Sequence, residues 1–198
     1  MARPDLTGIL LVGGASRRFG SAKALALWDG KSLAAHAWEL LGETCGERVA
    51  VGKVGDELEL PFPVLDDGTE TRAALAGIVA GLRAAPTELC VVLPVDTPLI
   101  TSELLLELAD ACAEAAVTQT GPLPAALRRR ALPVLERRLA DGSLALRGAL
   151  AELDTCEIDA DPALLVNVNT QAELQELARR TASASSSSST SRRARPTR

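Results

Sequence analysis

The chain has 198 residues, enough for one domain with a sizeable buried core. A net charge of −5, only two Phe and two Trp, and no Tyr argue against non-specific nucleic-acid binding and against base stacking on exposed rings. No apolar run reaches the roughly 18 residues of a membrane span, and the first residues, MARPDLTG, carry no apolar leader, so the expectation is a cytoplasmic protein with no membrane or nucleic-acid partner.

Apolar runs of strand length alternate with helical spacing. LTGILLV (6–12) is continuously apolar, as in a strand buried on both faces. SLAAHAWELLG (32–42) has helical spacing, with Gly42 as the expected C-cap. RVAVG (48–52) and PFPVL (61–65) are short strand candidates. TRAALAGIVAGLRAA (71–85) reads as a helix capped by Thr71, with Gly77 and Gly81 allowing close approach to a sheet. ELCVVLPVD (88–96) is the clearest strand, and Cys90 within it reads as a small buried hydrophobe. SELLLELADACAEA (102–115) is a helix capped by Thr101 or Ser102.

Residues 122–142 read as a short extended piece followed by a helix, 143–153 as another helix, and ALLVNVNT (163–170) as a last strand or extended segment. TQAELQELARR (170–180) opens with a capping box from Thr170 to Glu173. From Thr181 the Ser- and Arg-rich chain has no apolar periodicity, so 1–180 is expected to form the domain and 181–198 a disordered tail. The four cysteines show no C-x-x-C pairing and hence no zinc or dithiol spacing. The one histidine, His36, falls within a helix and reads as a packing residue.

This alternation predicts a three-layer α/β/α, Rossmann-like fold with a mostly parallel sheet. In such sheets ligands sit beyond the C-terminal strand ends, at the point where strand order reverses. Three stretches are placed there: 13–23, 66–67 and 96–98.

In LLVGGASRRFGSAK (10–23), Gly13 and Gly14 let backbone N–H groups surround an anion, and Arg17, Arg18 and Lys23 add positive charge. The string is neither a Walker A loop nor G-x-G-x-x-G. Its natural cargo is a phosphate or triphosphate. Asp96 ends a buried strand before Thr97-Pro98, where a lone Asp is often a turn former. Facing a triphosphate, it suits Mg²⁺, which takes one or two carboxylates together with phosphate oxygens and water. Asp66 or Asp67 would stand on the same edge.

Taken together these strings resemble the nucleotidyltransferase family that includes molybdenum cofactor guanylyltransferase, whose fold is of the nucleotide-diphospho-sugar transferase type. The likeness rests on Leu11-Val12-Gly13-Gly14-Ala15-Ser16-Arg17-Arg18-Phe19-Gly20-Ser21-Ala22-Lys23, Ala73–Gly77, Val95-Asp96-Thr97-Pro98 and Asn167-Val168-Asn169-Thr170 through Leu174. It spans residues 6 to about 178.

The resemblance implies that GTP lies over the opening turn against Leu11, Val12, Gly13 and Gly14. Lys23 and Arg18 would face its phosphates, Asp66 the guanosine, and Asp96 a Mg²⁺ ion. Asn167 and Asn169 would lie on the acceptor side. The implied reaction transfers GMP from GTP to molybdopterin and releases pyrophosphate. The implied protein is a monomer in transient contact with proteins that handle molybdenum cofactor. The chain departs from the family at Val12, where Ala is usual, at Phe19, where Met is usual, in lacking Gly-Pro before Leu75, and in a short hairpin near the acceptor. Cytidylyl transfer to the same acceptor, sugar-phosphate nucleotidyl transfer and a non-catalytic nucleotide-binding role are the alternatives.

Overall fold

The structure is a computed structural model that describes residues 1–13, 19 and 22–188, apart from the side chains at 54 and 182–188. In chain order the elements are β1 (Arg3–Leu11), β2 (Leu27–Trp28), β3 (Lys31–Ser32), α1 (Leu33–Thr44), β4 (Cys45–Gly52), β5 (Val64–Asp66), α2 (Ala74–Ala84) and β6 (Leu89–Pro94). They continue as α3 (Ser102–Ala111), β7 (Ala115–Thr118), β8 (Gly121–Arg128), α4 (Leu132–Ala140), α5 (Leu146–Leu150), β9 (Thr155–Ile158) and α6 (Gln171–Ser188).

Among the described residues seven strands form one sheet in the order β5-β4-β1-β6-β8-β7-β9, and β2 and β3 form a separate short hairpin. β1 runs parallel to both β4 and β6, and β4 runs parallel to β5. β8 is antiparallel to β6 and to β7, and β7 is parallel to β9. The sheet is therefore mostly parallel, as its apolar runs predict. After β1 the chain builds outward through β4 and β5, then returns to the other side of β1 as β6. The strand order thus reverses between β1 and β6, and the crevice at their C-terminal ends is the expected ligand position.

Strand alternation divides β1 between two cores. Leu6 and Leu10 pack with Leu41 of α1 and Leu105 and Leu108 of α3. Ile9 and Leu11 face the other way, towards Leu75, Ile78 and Leu82 of α2 and Leu135 of α4. At Gly81 a Cβ would lie 2.5 Å from Ile9 Cγ2, so only glycine lets α2 sit this close to the sheet. A smaller cluster joins Phe19 to Leu33, Val168, Leu174 and Leu177. Phe19 thus packs against both α1 and α6.

Several elements differ from the sequence expectation. α1 runs through Gly42 to Thr44, because Arg48 lies against Gly42 and donates to the carbonyl of Trp38 at 2.7 Å. α2 starts at Ala74, not at Thr71: Thr71 N–H donates to Thr69 Oγ1 and stays within a loop. α3 stops at Ala111 and α5 covers only Leu146–Leu150. Residues 163–170 are not a strand; the segment turns at Asp161–Leu165 and touches the sheet region through Val168 N–H donating to Asp96 O at 2.8 Å. α6 continues past the residue-180 boundary to Ser188, and 189–198 lie outside the described residues. Among the described residues no helix is long and apolar enough to cross a membrane.

Candidate active site

A cavity of about 560 Å³ opens at the C-terminal ends of β5, β4, β1 and β6. Its lining includes Leu11, Val12, Gly13, Lys23, Asp96 and Asn167, six of the residues singled out from sequence. Gly14 and Arg18 lie outside the described residues. Gly13 meets the end of β4 closely: a Cβ on it would stand 3.2 Å from Gly52 Cα. The bulk that Val12 adds, relative to the family's Ala, is accommodated in the same place, since a Cβ on Gly52 would lie 2.9 Å from Val12 Cγ2.

At the β1/β6 crevice, Lys23 links two segments far away in the chain. Its Nζ donates to Asp96 Oδ2 at 3.2 Å and to Asn169 Oδ1 at 3.2 Å. The Lys23 and Asp96 side chains are 14% and 29% exposed, so the pair is shielded yet open to the cavity. Asp96 is fixed from both sides. Thr97 Oγ1 donates to Pro94 O, which tightens the turn after β6, and the Asp96 carbonyl accepts from Val168 N–H.

The capping box holds Asn169 in place. Glu173 accepts from the Asn169 and Thr170 N–H groups, and Glu173 N–H donates to Thr170 Oγ1 at 3.1 Å. Asn169 is therefore both the entry to α6 and a partner of Lys23. Asn167 lines the cavity directly.

The opposite end of the cavity lies beyond β4 and β5. Here Asp67 lines the wall, whereas Asp66 is exposed and its Oδ1 accepts from Gly68 N–H at 2.7 Å, a turn-forming bond. Asp67 pairs with Lys53, Nζ to Oδ1 at 2.6 Å, with side chains 6% and 12% exposed. Sequence reading missed Lys53, although it directly follows the strand RVAVG and so stands on the same edge as Gly13 and Asp96. Arg72 and the β8 residues Gly121–Leu123 complete the lining.

Among the described residues no group of three or more His, Cys, Asp and Glu side chains is placed to hold a metal ion. A cation here would depend on Asp96 and on the ligand's own oxygens. That donor set fits a hard cation such as Mg²⁺, because Asp96 presents a carboxylate to the cavity and uses Oδ2 alone for Lys23.

His36 is a packing residue: its Nε2 lies 2.6 Å from the Trp28 carbonyl and its ring stands 5.1 Å from the Trp28 ring. The cysteines are all free thiols. Burial pushes Cys45 and Cys90 up to about 12 and Cys112 to about 11, which leaves them protonated and inert at neutral pH.

A glycine turn, a lysine and a carboxylate at the switch point of a parallel sheet define a nucleotide-binding α/β protein. Residues 8–156 match the family described as MobA-like NTP transferase domain. The chain is 34% identical to molybdenum cofactor guanylyltransferase of Burkholderia ambifaria, over 89% of this chain and 97% of that protein. It is 35% identical to the enzyme of the same name from Burkholderia vietnamiensis, with the same coverage.

Among solved structures, molybdopterin-guanine dinucleotide biosynthesis protein A from Archaeoglobus fulgidus superposes with a TM-score of 0.75. It is 24% identical, over 89% of this chain and 99% of that one. The 2-C-methyl-D-erythritol 4-phosphate cytidylyltransferase of Thermus thermophilus shares the fold at a TM-score of 0.67 and 18% identity, over 90% of this chain and all of that one. The chain belongs to the MobA-like NTP transferase family.

Proposed function

We propose that this protein transfers GMP from GTP to the terminal phosphate of molybdopterin, releasing pyrophosphate. The observation that carries the reading is Lys23 held between Asp96 and Asn169 at the switch point of the sheet. Support comes also from relatives at 34–35% identity that are named molybdenum cofactor guanylyltransferase.

In this reading the triphosphate lies over the end of β1 against Gly13 and Lys23. The nucleoside runs across the β4 and β5 ends towards Asp67. Asp67 takes the place beside the guanosine that the resemblance assigns to Asp66, because Asp67 lines the cavity whereas Asp66 is exposed outside it.

The acceptor enters from the side of Asn167 and Asn169. An ionised oxygen of its phosphate attacks the α-phosphorus of GTP. A new phosphorus–oxygen bond forms, the bond from the α-phosphorus to the bridging oxygen breaks, and its electron pair leaves with pyrophosphate. A phosphate nucleophile is already deprotonated, so His36 in its packed position is not needed as a base. Lys23 neutralises charge on the phosphates, and Asp96 and Asn169 fix where its ammonium stands. Asp96 would also hold Mg²⁺, which when bound supplies further neutralisation of phosphate charge. The chain is expected to act as a monomer in the cytoplasm, in transient contact with proteins that carry molybdenum cofactor.

Pyrophosphate release with each of the four nucleoside triphosphates, molybdopterin and Mg²⁺ tests the reading. Release that requires GTP and molybdopterin, stops on chelation and returns with Mg²⁺ supports it. Release from CTP instead would make the protein a cytidylyltransferase. Nucleotide binding without release would make it a non-catalytic relative or one with another acceptor.

A further inference from the structure

The nucleoside end of the cavity contains a charged pair with no part in phosphate chemistry. Lys53 Nζ has three acceptors: Asp67 Oδ1 at 2.6 Å, Thr69 Oγ1 at 3.2 Å and the Thr69 carbonyl. An ammonium has three donor hydrogens, so Lys53 is fully used and has none left for a ligand.

Asp67 is bonded on one side only. Its Oδ1 accepts from Lys53, from Thr69 N–H at 3.0 Å and from Thr69 Oγ1 at 3.3 Å. Among the described residues Oδ2 accepts no hydrogen bond, although the side chain is 94% buried and lines the cavity. Oδ2 is not sealed off from solvent, so a ligand that covers it has to supply a donor in place of water.

The donor cannot be a phosphate. An ionised phosphate carries only acceptors and repels a carboxylate. Asp67 also stands across the sheet edge from the phosphate end: β5, which it follows, is three strand spacings from β6, which Asp96 follows, or about 14 Å. The remaining donors of a nucleotide are N–H groups on the base and O–H groups on the ribose.

We propose that Lys53 is a positioning residue that sets base selectivity. By occupying Oδ1 it turns Asp67 Oδ2 to the N1–H and 2-amino edge of guanine. This rests on the guanylyl-transfer reading, and it adds a residue that acts only through Asp67. Thr69 takes part as the hinge of the cluster: it bonds both Lys53 and Asp67, and it ties down Thr71 N–H ahead of α2. Bases lacking that paired donor edge leave Oδ2 buried without a partner, the penalty that lets polar sites reject analogues strongly.

The test is calorimetric binding of GTP, ITP, 2′-deoxy-GTP, CTP and ATP to the full chain and to its Lys53→Met and Lys53→Arg variants. Inosine lacks the 2-amino group and deoxyguanosine lacks a ribose hydroxyl. Inorganic triphosphate binding at the Lys23 end reports whether each variant keeps a folded pocket. Wild type is expected to favour GTP over ITP by about tenfold or more, the effect of one hydrogen bond to a charged group. Lys53→Met is expected to bring that ratio near one, and Lys53→Arg to restore most of it. A Lys53→Met protein that binds triphosphate and keeps the wild-type GTP-to-ITP ratio overturns the proposal alone. So does a variant that loses discrimination against deoxy-GTP but not against ITP, since Asp67 then reads the ribose. A wild type with no preference for GTP over CTP and ATP overturns the guanylyl reading as well.

Discussion

The two ends of the cavity carry the same pair of charges in opposite arrangements. At the β1/β6 end, Lys23 and Asp96 come from segments 73 residues apart, stand 3.2 Å from each other and remain partly open to the cavity. At the β4/β5 end, Lys53 and Asp67 are 14 residues apart, stand 2.6 Å from each other and are almost wholly enclosed. The looser pair has charge to offer to something that arrives and leaves. The tighter pair is internally satisfied except for one oxygen, so it suits recognition of a fixed shape. A charged pair in a cavity is thus best judged by which atoms it leaves unbonded.

The contrast can be broken by substitution. The largest effect is expected at the chemical end: Lys23→Met should lower pyrophosphate release by about 10²–10³-fold, the usual cost of losing one group that stabilises developing charge. A stopped-flow or coupled pyrophosphate assay measures it. Next comes Asn169→Ala, expected to cut release by about tenfold through loss of a Lys23 partner, with smaller harm to GTP binding; steady-state kinetics separate the two.

A third prediction concerns the scaffold common to both ends. Gly81→Ala places a Cβ against Ile9 and should cost about 1–3 kcal/mol of stability without altering base preference, as read by denaturant unfolding. The smallest effect is expected from native alkylation near pH 7. Cys45, Cys90 and Cys112 stay protonated because their buried thiols are shifted upward, so mass spectrometry should find the first adduct on Cys156. Raising the pH towards 11 should bring Cys112 into reaction before the other two.

Much of the parallel half of the sheet was legible in the sequence. LTGILLV and ELCVVLPVD are continuously apolar because both faces of β1 and β6 are covered, and such runs announce themselves. In the other half only β8 was, as the short extended piece that opens 122–142. β7 is Ala-Ala-Val-Thr and β9 is Thr-Cys-Glu-Ile, too short and too poor in large apolar side chains to set a period.

The same division holds within the site. Gly13, Lys23 and Asp96 carry local signals, a glycine turn and a carboxylate after a buried strand. Lys53 does not, because its pairing depends on Asp67 arriving from the next strand. Which of Asp66 and Asp67 faces the cavity was likewise out of reach of sequence, since both accept a turn N–H and only the fold leaves Asp66 exposed and Asp67 on the cavity wall. Asn169 stands out in the sequence as part of a late Asn motif just ahead of a capping box, and in the structure its Oδ1 accepts from Lys23 and its N–H donates to Glu173.

The most direct test of a cavity with one reacting and one reading end is steady-state guanylyl transfer by Asp96→Asn beside Asp67→Asn. The account predicts that Asp96→Asn lowers kcat by about 10²-fold or more, whereas Asp67→Asn raises KM for GTP at nearly unchanged kcat. Wild-type turnover by Asp96→Asn, or an equal loss of kcat in both variants, would contradict it.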